Sequence, residues 1–160
     1  MKIRKLIPDQ YDKASALLRQ AFPGSNSEGR LVENFHKNGK VVYEWGCIHI
    51  NRIIAYIAFS NAYKGSEVCG LHLAPLAVKP EFQGQGVGSE LMRFALRQEV
   101  IKTKTIFVLG NLDFYQKFGF EHCTNPVCPF DKNNGHFLSI RNNYDDPFKV
   151  GYEPEFKIGI

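Results

Sequence analysis

The stretch LAVKPEFQGQGVGSELMRFAL, Leu76 to Leu96, places glycines at 84, 86 and 88 between an apolar run and a helix-like pattern. Read in order, it is the end of a strand, a glycine-rich turn and a helix that starts at Val87. A helix start leaves backbone N–H groups without intrahelical partners and carries the positive end of the helix dipole, so it favours a phosphate or pyrophosphate. Glycines admit such a ligand to the backbone itself. The competing reading is a tight turn whose glycines serve only a positive φ.

Two nucleotide-binding signatures fail here on a required residue. A dinucleotide fingerprint, G-x-G-x-x-G with an acidic residue about 20 positions later, meets Ser89 in place of its third glycine and Lys104 near where the acid belongs. A phosphate-binding loop of the form G-x-x-x-x-G-K-[ST] lacks its lysine after Gly88.

Around this stretch the elements follow a mixed order. Lys2 to Ile7 reads as a strand, and Pro8-Asp9 opens a helix whose Tyr11, Ala14, Leu17, Leu18 and Ala21 keep helical spacing until Pro23-Gly24. Ser25 to Ser27 cap a second helix, Glu28 to Lys37, with Leu31, Val32 and Phe35 on one face and Asn38-Gly39 at its end. Val41 to Ile50 and Ile53 to Ser60 form a hairpin around Asn51-Arg52, Tyr63 to Ser66 is a loop, and Cys69 to Val78 is a third long strand. Pro75 inside that strand cannot donate a ladder hydrogen bond, which predicts a bulge or local splay. The helix from Val87 to Gln98 has Val87, Leu91, Phe94, Ala95 and Gln98 on its inner face. A short buried strand, Thr105 to Leu109, and a helix, Leu112 to Phe118, ended by Gly119, come next. A strand from Phe120, a loop from Thr124 to Asn134 and a strand from His136 to Arg141 complete the order, and the tail Tyr152 to Phe156 is assigned to no element.

The 160 residues make about one domain, 1–160, and 44% hydrophobic with 22% charged residues is the balance of an ordinary soluble protein. Apolar runs such as Ile53 to Phe59 are far short of a membrane span, and Met1 to Lys5 lead into no signal-peptide segment, so no membrane and a cytoplasmic location are expected. The net charge of +4 comes from scattered Lys and Arg, which disfavours nucleic acid and weakly favours an anionic small ligand. The four cysteines are expected to be reduced. His122, Cys123, Cys128 and His136 raise the question of zinc, but the Cys-x4-Cys spacing is loose and no CxxC pair exists, so no metal is expected.

With Val78 ending the strand and Gln83, Gly86 and Gly88 after it, the opening stretch resembles the Q/R-x-x-G-x-G/A signature of the Gcn5-related N-acetyltransferase (GNAT) superfamily, Gly84 being an additional common glycine. NLDFYQKFGF, Asn111 to Phe120, is similar to the family's later A-x-x-F-Y-x-K-x-G-F block, with Tyr115, Lys117, Gly119 and Phe120 in register and Asn111 where many members have Ala or another small or polar residue. LAPLAV, VLGNLDFYQKFGF and YEPEF together resemble a poorly characterised bacterial branch of N-acetyltransferases over nearly the full chain. The resemblance implies an α/β (α+β) fold: one mixed, mostly antiparallel sheet flanked by helices, whose fourth and fifth strands run parallel and splay into a V that admits the thioester arm of acetyl-CoA (coenzyme A). As a family expectation it also implies a homodimer.

The expected activity is an enzyme's: acetyl transfer to an unidentified amine, with a non-catalytic acyl-CoA-binding module as the second class. Such transfer needs a neutral amine, a stabilised oxyanion and a proton for the departing thiolate. For the cofactor, the candidates are the backbone of Gln83, Gly84, Gln85, Gly86, Val87 and Gly88, together with Ser89 and Asn111. The resemblance points to Leu76, Ala77 and Val78 for the pantetheine and the oxyanion. It makes Tyr115 the acid, against the reading of a core aromatic beside Phe114 and Phe118. His72 stands where arylalkylamine N-acetyltransferases have the first of two histidines, but the second position is Ala74 here. A histidine on a buried strand is otherwise a hydrogen-bonded structural residue. Glu28, with Glu33 behind it, is the other candidate base, against the reading of a glutamate on a helix dipole. No cysteine falls in a Cys-His-Asp arrangement, so direct transfer in a ternary complex is expected.

Overall fold

The computed structural model describes residues 1–131 and 133–158. The strands are β1 (Lys2–Lys5), β2 (Val42–His49), β3 (Arg52–Lys64), β4 (Glu67–Val78), β5 (Ile106–Leu109), β6 (Glu121–His122) and β7 (Phe137–Ile140). The helices are α1 (Tyr11–Ala21), α2 (Ser27–Lys37), α3 (Val87–Leu96), α4 (Leu112–Tyr115) and α5 (Glu155–Ile158). Among the described residues the strands form one sheet in the order β1-β2-β3-β4-β5-β7-β6, antiparallel except where β4 meets β5.

β3 is the sheet's buried centre: Ile53 to Ser60 are all inaccessible, so both faces must be covered and the strand reads as a continuous apolar run. It turns from β2 at Ile50-Asn51, not at Asn51-Arg52, because His49 pairs with Arg52 and both turn residues take positive φ, 49° and 59°. That conformation matches the twist of the flanking strands. The loop expected from Tyr63 to Ser66 is also shorter. Tyr63 and Lys64 still pair with Val68 and Glu67, leaving Gly65-Ser66 as the turn, with Gly65 at φ 64°.

The bulge expected at Pro75 is present. Ile57 faces Leu76 and Phe59 faces Leu73, so Ala58 alone stands opposite both Ala74 and Pro75. On its other side β4 pairs with β5 at Leu71–Ile106 and His72–Phe107, and then the two part. β5 continues instead against β7 as far as Leu109–Phe137. The apex of this V is tight: Leu71 N–H donates to the Thr105 carbonyl at 2.8 Å, and a Cβ on Gly70 would lie 2.5 Å from that same oxygen.

Two helical layers close the sheet. α3 buries Val87, Leu91, Met92, Ala95 and Leu96 against Ile57, Phe59, Leu71 and Ile106. It ends at Leu96, two residues short of expectation; Phe94 is half-buried, and the Gln98 side chain donates to the Phe94 carbonyl at 3.0 Å instead of entering the core. α1 and α2 cover the other face with Ala14, Leu17, Leu18 and Val32 over Tyr56, Ala58 and Ala77. The unassigned tail lies on this face, where Phe156 meets Phe35 edge to face at 5.7 Å. No helix among the described residues is long and apolar enough to cross a membrane.

Replacing Gly70 by Ala forces backbone apart at the apex, since the Thr105 carbonyl has no rotamer with which to retreat. A loss of about 2 kcal/mol is expected, read as a fall of about 6 °C in the thermal midpoint. An unchanged midpoint would show that the apex is not tightly packed.

Candidate active site

Where β4 and β5 have parted, a cleft of about 480 Å³ opens at the C-terminal end of β4. Leu76, Ala77 and Val78 form one wall, and Gln83, Gly84, Gly86, Val87, Gly88 and Ser89 form another. Ala21 and Phe22, from the end of α1 and the residue after it, Phe82, and Phe114 and Lys117 complete it. The three glycines have different tasks. Gly84 and Gly86 sit at φ 77° and 82°, which side chains rarely adopt, and the space where their Cβ atoms would point is open to at least 4 Å. Gly88 has an ordinary φ, but its Cβ would come 3.3 Å from Val78 Cγ2, so it brings α3 close to the strand.

The first intrahelical bond of α3 runs from Glu90 N–H to the Gly86 carbonyl at 3.0 Å. The amides of Val87, Gly88 and Ser89 precede it and remain available at the cleft. Two glutamines brace the loop: Gln83 donates through Nε2 to the Val78 carbonyl at 2.9 Å, and Gln85 to the Glu81 carbonyl at 3.1 Å. Gln85 is therefore turned into its own loop and is the one member of the 83–89 stretch that does not line the cleft. Lys117 is the cationic side chain of the lining, lying 4.7 Å from the Phe114 ring centroid.

Tyr115 stands beside this cleft, behind Phe114. Its ring lies so close to Gly110 that a Cβ there would fall 2.3 Å from Tyr115 Cε2, and it meets Phe114 and Phe120 edge to face at 5.0 and 5.5 Å. Burial pushes its phenol up to about 12. Its hydroxyl has no hydrogen-bond partner among the described residues. Asn111 is occupied differently: its side chain accepts the Asp113 N–H at 2.8 Å and caps α4, and it lines a neighbouring cavity, not the cleft.

The two candidate bases are apart from the cleft lining. His72 is 1% exposed, and its Nε2 donates to the Gly151 carbonyl at 3.0 Å. Tyr152 stacks on it at 3.6 Å, and burial, partly offset by the Gly151 bond, lowers its pKa to about 4. Glu28 lies in the first turn of α2, where Oε2 accepts the Ser25 hydroxyl at 2.9 Å, and Glu33 pairs with Arg19. Sequence reasoning missed a further buried carboxylate, Glu44. It accepts from the Tyr56 hydroxyl at 2.6 Å and faces His36 Nε2 at 2.9 Å, under α1 and α2. It also passed over Phe82 and Lys117, of which Lys117 carried a signal through its place in the Tyr115 block. All four cysteines are free thiols, and among the described residues no group of three or more His, Cys, Asp or Glu is placed to hold a metal ion.

A strand parted from its parallel neighbour above a glycine-rich helix start defines the architecture of an acyl-CoA-dependent transferase. The family model for the acetyltransferase (GNAT) domain matches residues 33–122, and the chain belongs to that family. It is 31% identical to the uncharacterized N-acetyltransferase YhbS of Escherichia coli K12, over 76% of this chain and 74% of that protein. A 76-residue stretch is 41% identical to the uncharacterized N-acetyltransferase YjhQ of the same strain, spanning 45% of this chain and 42% of that one. The crystal structure of the E. coli YhbS protein in complex with CoA superposes with a TM-score of 0.88 at 26% identity, over 98% of this chain and 91% of that chain.

Burial of neutral His72 also has a signature in stability. With a folded pKa of about 4 against 6.5 ordinarily, its contribution is complete above pH 6.5 and is lost as pH falls towards 4, because the unfolded chain takes the proton first. At pH 5 the loss is about 2 kcal/mol. Urea unfolding of the native chain and of His72→Gln across this window is expected to show a shallower slope in the variant; parallel slopes would mean that His72 is not buried neutral.

Proposed function

We propose that the chain moves the acetyl group of acetyl-CoA to a primary amine of a small molecule or peptide, by direct transfer in a ternary complex. The observation that carries this reading is the pairing of open, left-handed Gly84 and Gly86 with the unbonded first amides of α3, at the end of a strand freed from its neighbour. The CoA complex of the E. coli YhbS protein supports the same ligand here.

The residues present fit such a ligand. The backbone N–H groups of the 84–89 turn and helix start hold the pyrophosphate, the Gln83 N–H being taken by the Pro80 carbonyl at 3.3 Å, and Lys117 adds a positive charge at the cleft. Bulged β4, from Leu76 to Val78, offers main-chain groups to the pantetheine arm and an N–H to the oxyanion. When bound, acetyl-CoA supplies the activated thioester. Tyr115 keeps its proton throughout the neutral range, since burial raises it to about 12. Complete transfer from such a phenol to a thiolate whose acid has a pKa of about 8.5 is uphill, so its first service is a hydrogen bond to the leaving sulfur.

His72 is read here as a structural residue that ties β4 to the tail through Gly151 and Tyr152. A group of pKa about 4 that already donates to Gly151 does not take a proton from an ammonium of pKa about 10, so the amine loses its proton to water. The one observation that favours a non-catalytic acyl-CoA-binding module is that His72 and Glu28 both already have partners.

Calorimetric titration with acetyl-CoA, and with NADH and ATP in parallel, tests the reading. Binding of acetyl-CoA alone, lost in Gly86→Glu, is expected; a folded protein that ignores acetyl-CoA would sink it. Release of free CoA thiol with an amine panel separates enzyme from module. In that assay Tyr115→Phe is expected to lower kcat by about a hundredfold with acetyl-CoA affinity unchanged, whereas an unchanged kcat removes Tyr115 from the chemistry.

A further inference from the structure

The pyrophosphate is not the most highly charged group of coenzyme A. The ribose that bears it also carries a 3′-phosphate, a monoester with about two negative charges at neutral pH against about one per phosphorus in the pyrophosphate. The backbone amides of the glycine loop serve the pyrophosphate, so this third phosphate needs cationic side chains near the start of α3.

Two such side chains meet there from different elements. Lys117 follows α4 and lines the cleft. Arg93 lies on α3 four residues after Ser89, hence on the same helix face as that member of the lining and about 6 Å further along the axis. Arg93 itself stands outside the lining. Both cations rest on one ring: the Arg93 guanidinium carbon is 5.4 Å from the Phe118 ring centroid and Lys117 Nζ is 5.7 Å from it. The Phe114 ring holds Lys117 Nζ as well, at 4.7 Å. Phe114 and Phe118 meet edge to face at 5.3 Å and pack against the core, so the platform beneath the two charges is fixed.

The pair has no counter-charge. Among the described residues no carboxylate oxygen lies within 4 Å of either cation. Glu90 on α3, and Asp113 and Glu121 to either side of Lys117 in sequence, are exposed and form no ion pair with them. A ring face attracts a cation but brings no net negative charge. Two exposed positive charges therefore stand together at the edge of the cleft, open to an anion.

We propose that Arg93 and Lys117 form the seat of the 3′-phosphate, which makes the chain selective for coenzyme A over its 3′-dephospho form. The assignment rests on the transferase reading above, which supplies the ligand; the paired cations and their aromatic platform belong to this chain. The guanidinium offers two parallel N–H groups to two phosphate oxygens, and the ammonium adds a point charge. Because Phe118 already holds both side chains, less of their freedom is left to lose when the phosphate arrives.

Calorimetric titration with CoA and with 3′-dephospho-CoA tests the seat. The native chain is expected to bind CoA about tenfold more tightly, and this advantage is expected to shrink as NaCl screens the exposed charges. Arg93→Gln and Lys117→Gln are each expected to cut the preference to about threefold, and the double variant to erase it, with the loss falling on CoA. Lys13→Gln, which removes the same charge from α1, is expected to leave the preference as it is. Equal binding of the two nucleotides by the native chain, or a preference that survives in the double variant, overturns the proposal. A preference lost equally in Lys13→Gln overturns it too, since net charge alone would then account for it. CoA bound without the preference sinks this assignment alone; a protein that binds neither nucleotide removes the transferase reading first and this one with it.

Discussion

The parting of β4 from β5 after two paired residues is the constraint on which the rest of the structure depends. A parallel pair is normally buried and fully laddered, so leaving one open exposes main-chain groups that must find other partners. Two local features hold the separation in place. At the apex Gly70 lets the Thr105 carbonyl approach Leu71 N–H, drawing the strands together at that point. Further along, Pro75 removes a donor, and the two-for-one bulge opposite Ala58 bends β4. Convergence followed by divergence gives the cleft its depth, and α3 starts where β4 ends, so its N-terminal amides face the same opening.

The legible parts of this arrangement were those written in backbone chemistry. Pro75 predicts a bulge because proline has no N–H, whatever surrounds it. Gly84 and Gly86 predict positive φ because other residues rarely adopt it. Gly88 is instructive in a different way: it belongs to the same sequence pattern, yet its reason is the 3.3 Å approach to Val78, a contact between elements that the pattern does not encode. Element ends were less legible. The register of β2 on β3 moved the turn by one residue, and pairing of Tyr63 and Lys64 with Val68 and Glu67 of β4 extended β3 into what its composition gives as a loop.

What the sequence did not disclose was set by distant chain. His72 looks the same on paper whether it faces solvent or not; its role depends on the Gly151 carbonyl and the Tyr152 ring, about 80 residues away, in a tail that carries no periodic signal. Glu44 was hidden for a similar reason. A glutamate in a strand is ordinarily a solvent-facing residue, and its burial rests on Tyr56 from the neighbouring strand and His36 from α2 arriving at the same point. The neighbouring cavity that Asn111 lines needs the start of α4 and the β6–β7 loop together, which no local pattern places side by side.

The pKa values of the site share one cause. Burial raises Tyr115 and lowers His72, because both are held in their neutral forms by the cost of placing charge in a poorly solvated space. A neutral phenol can stabilise a sulfur that is itself desolvated, and the same environment raises the thiol, narrowing the gap between donor and acceptor. It also resists an ammonium ion.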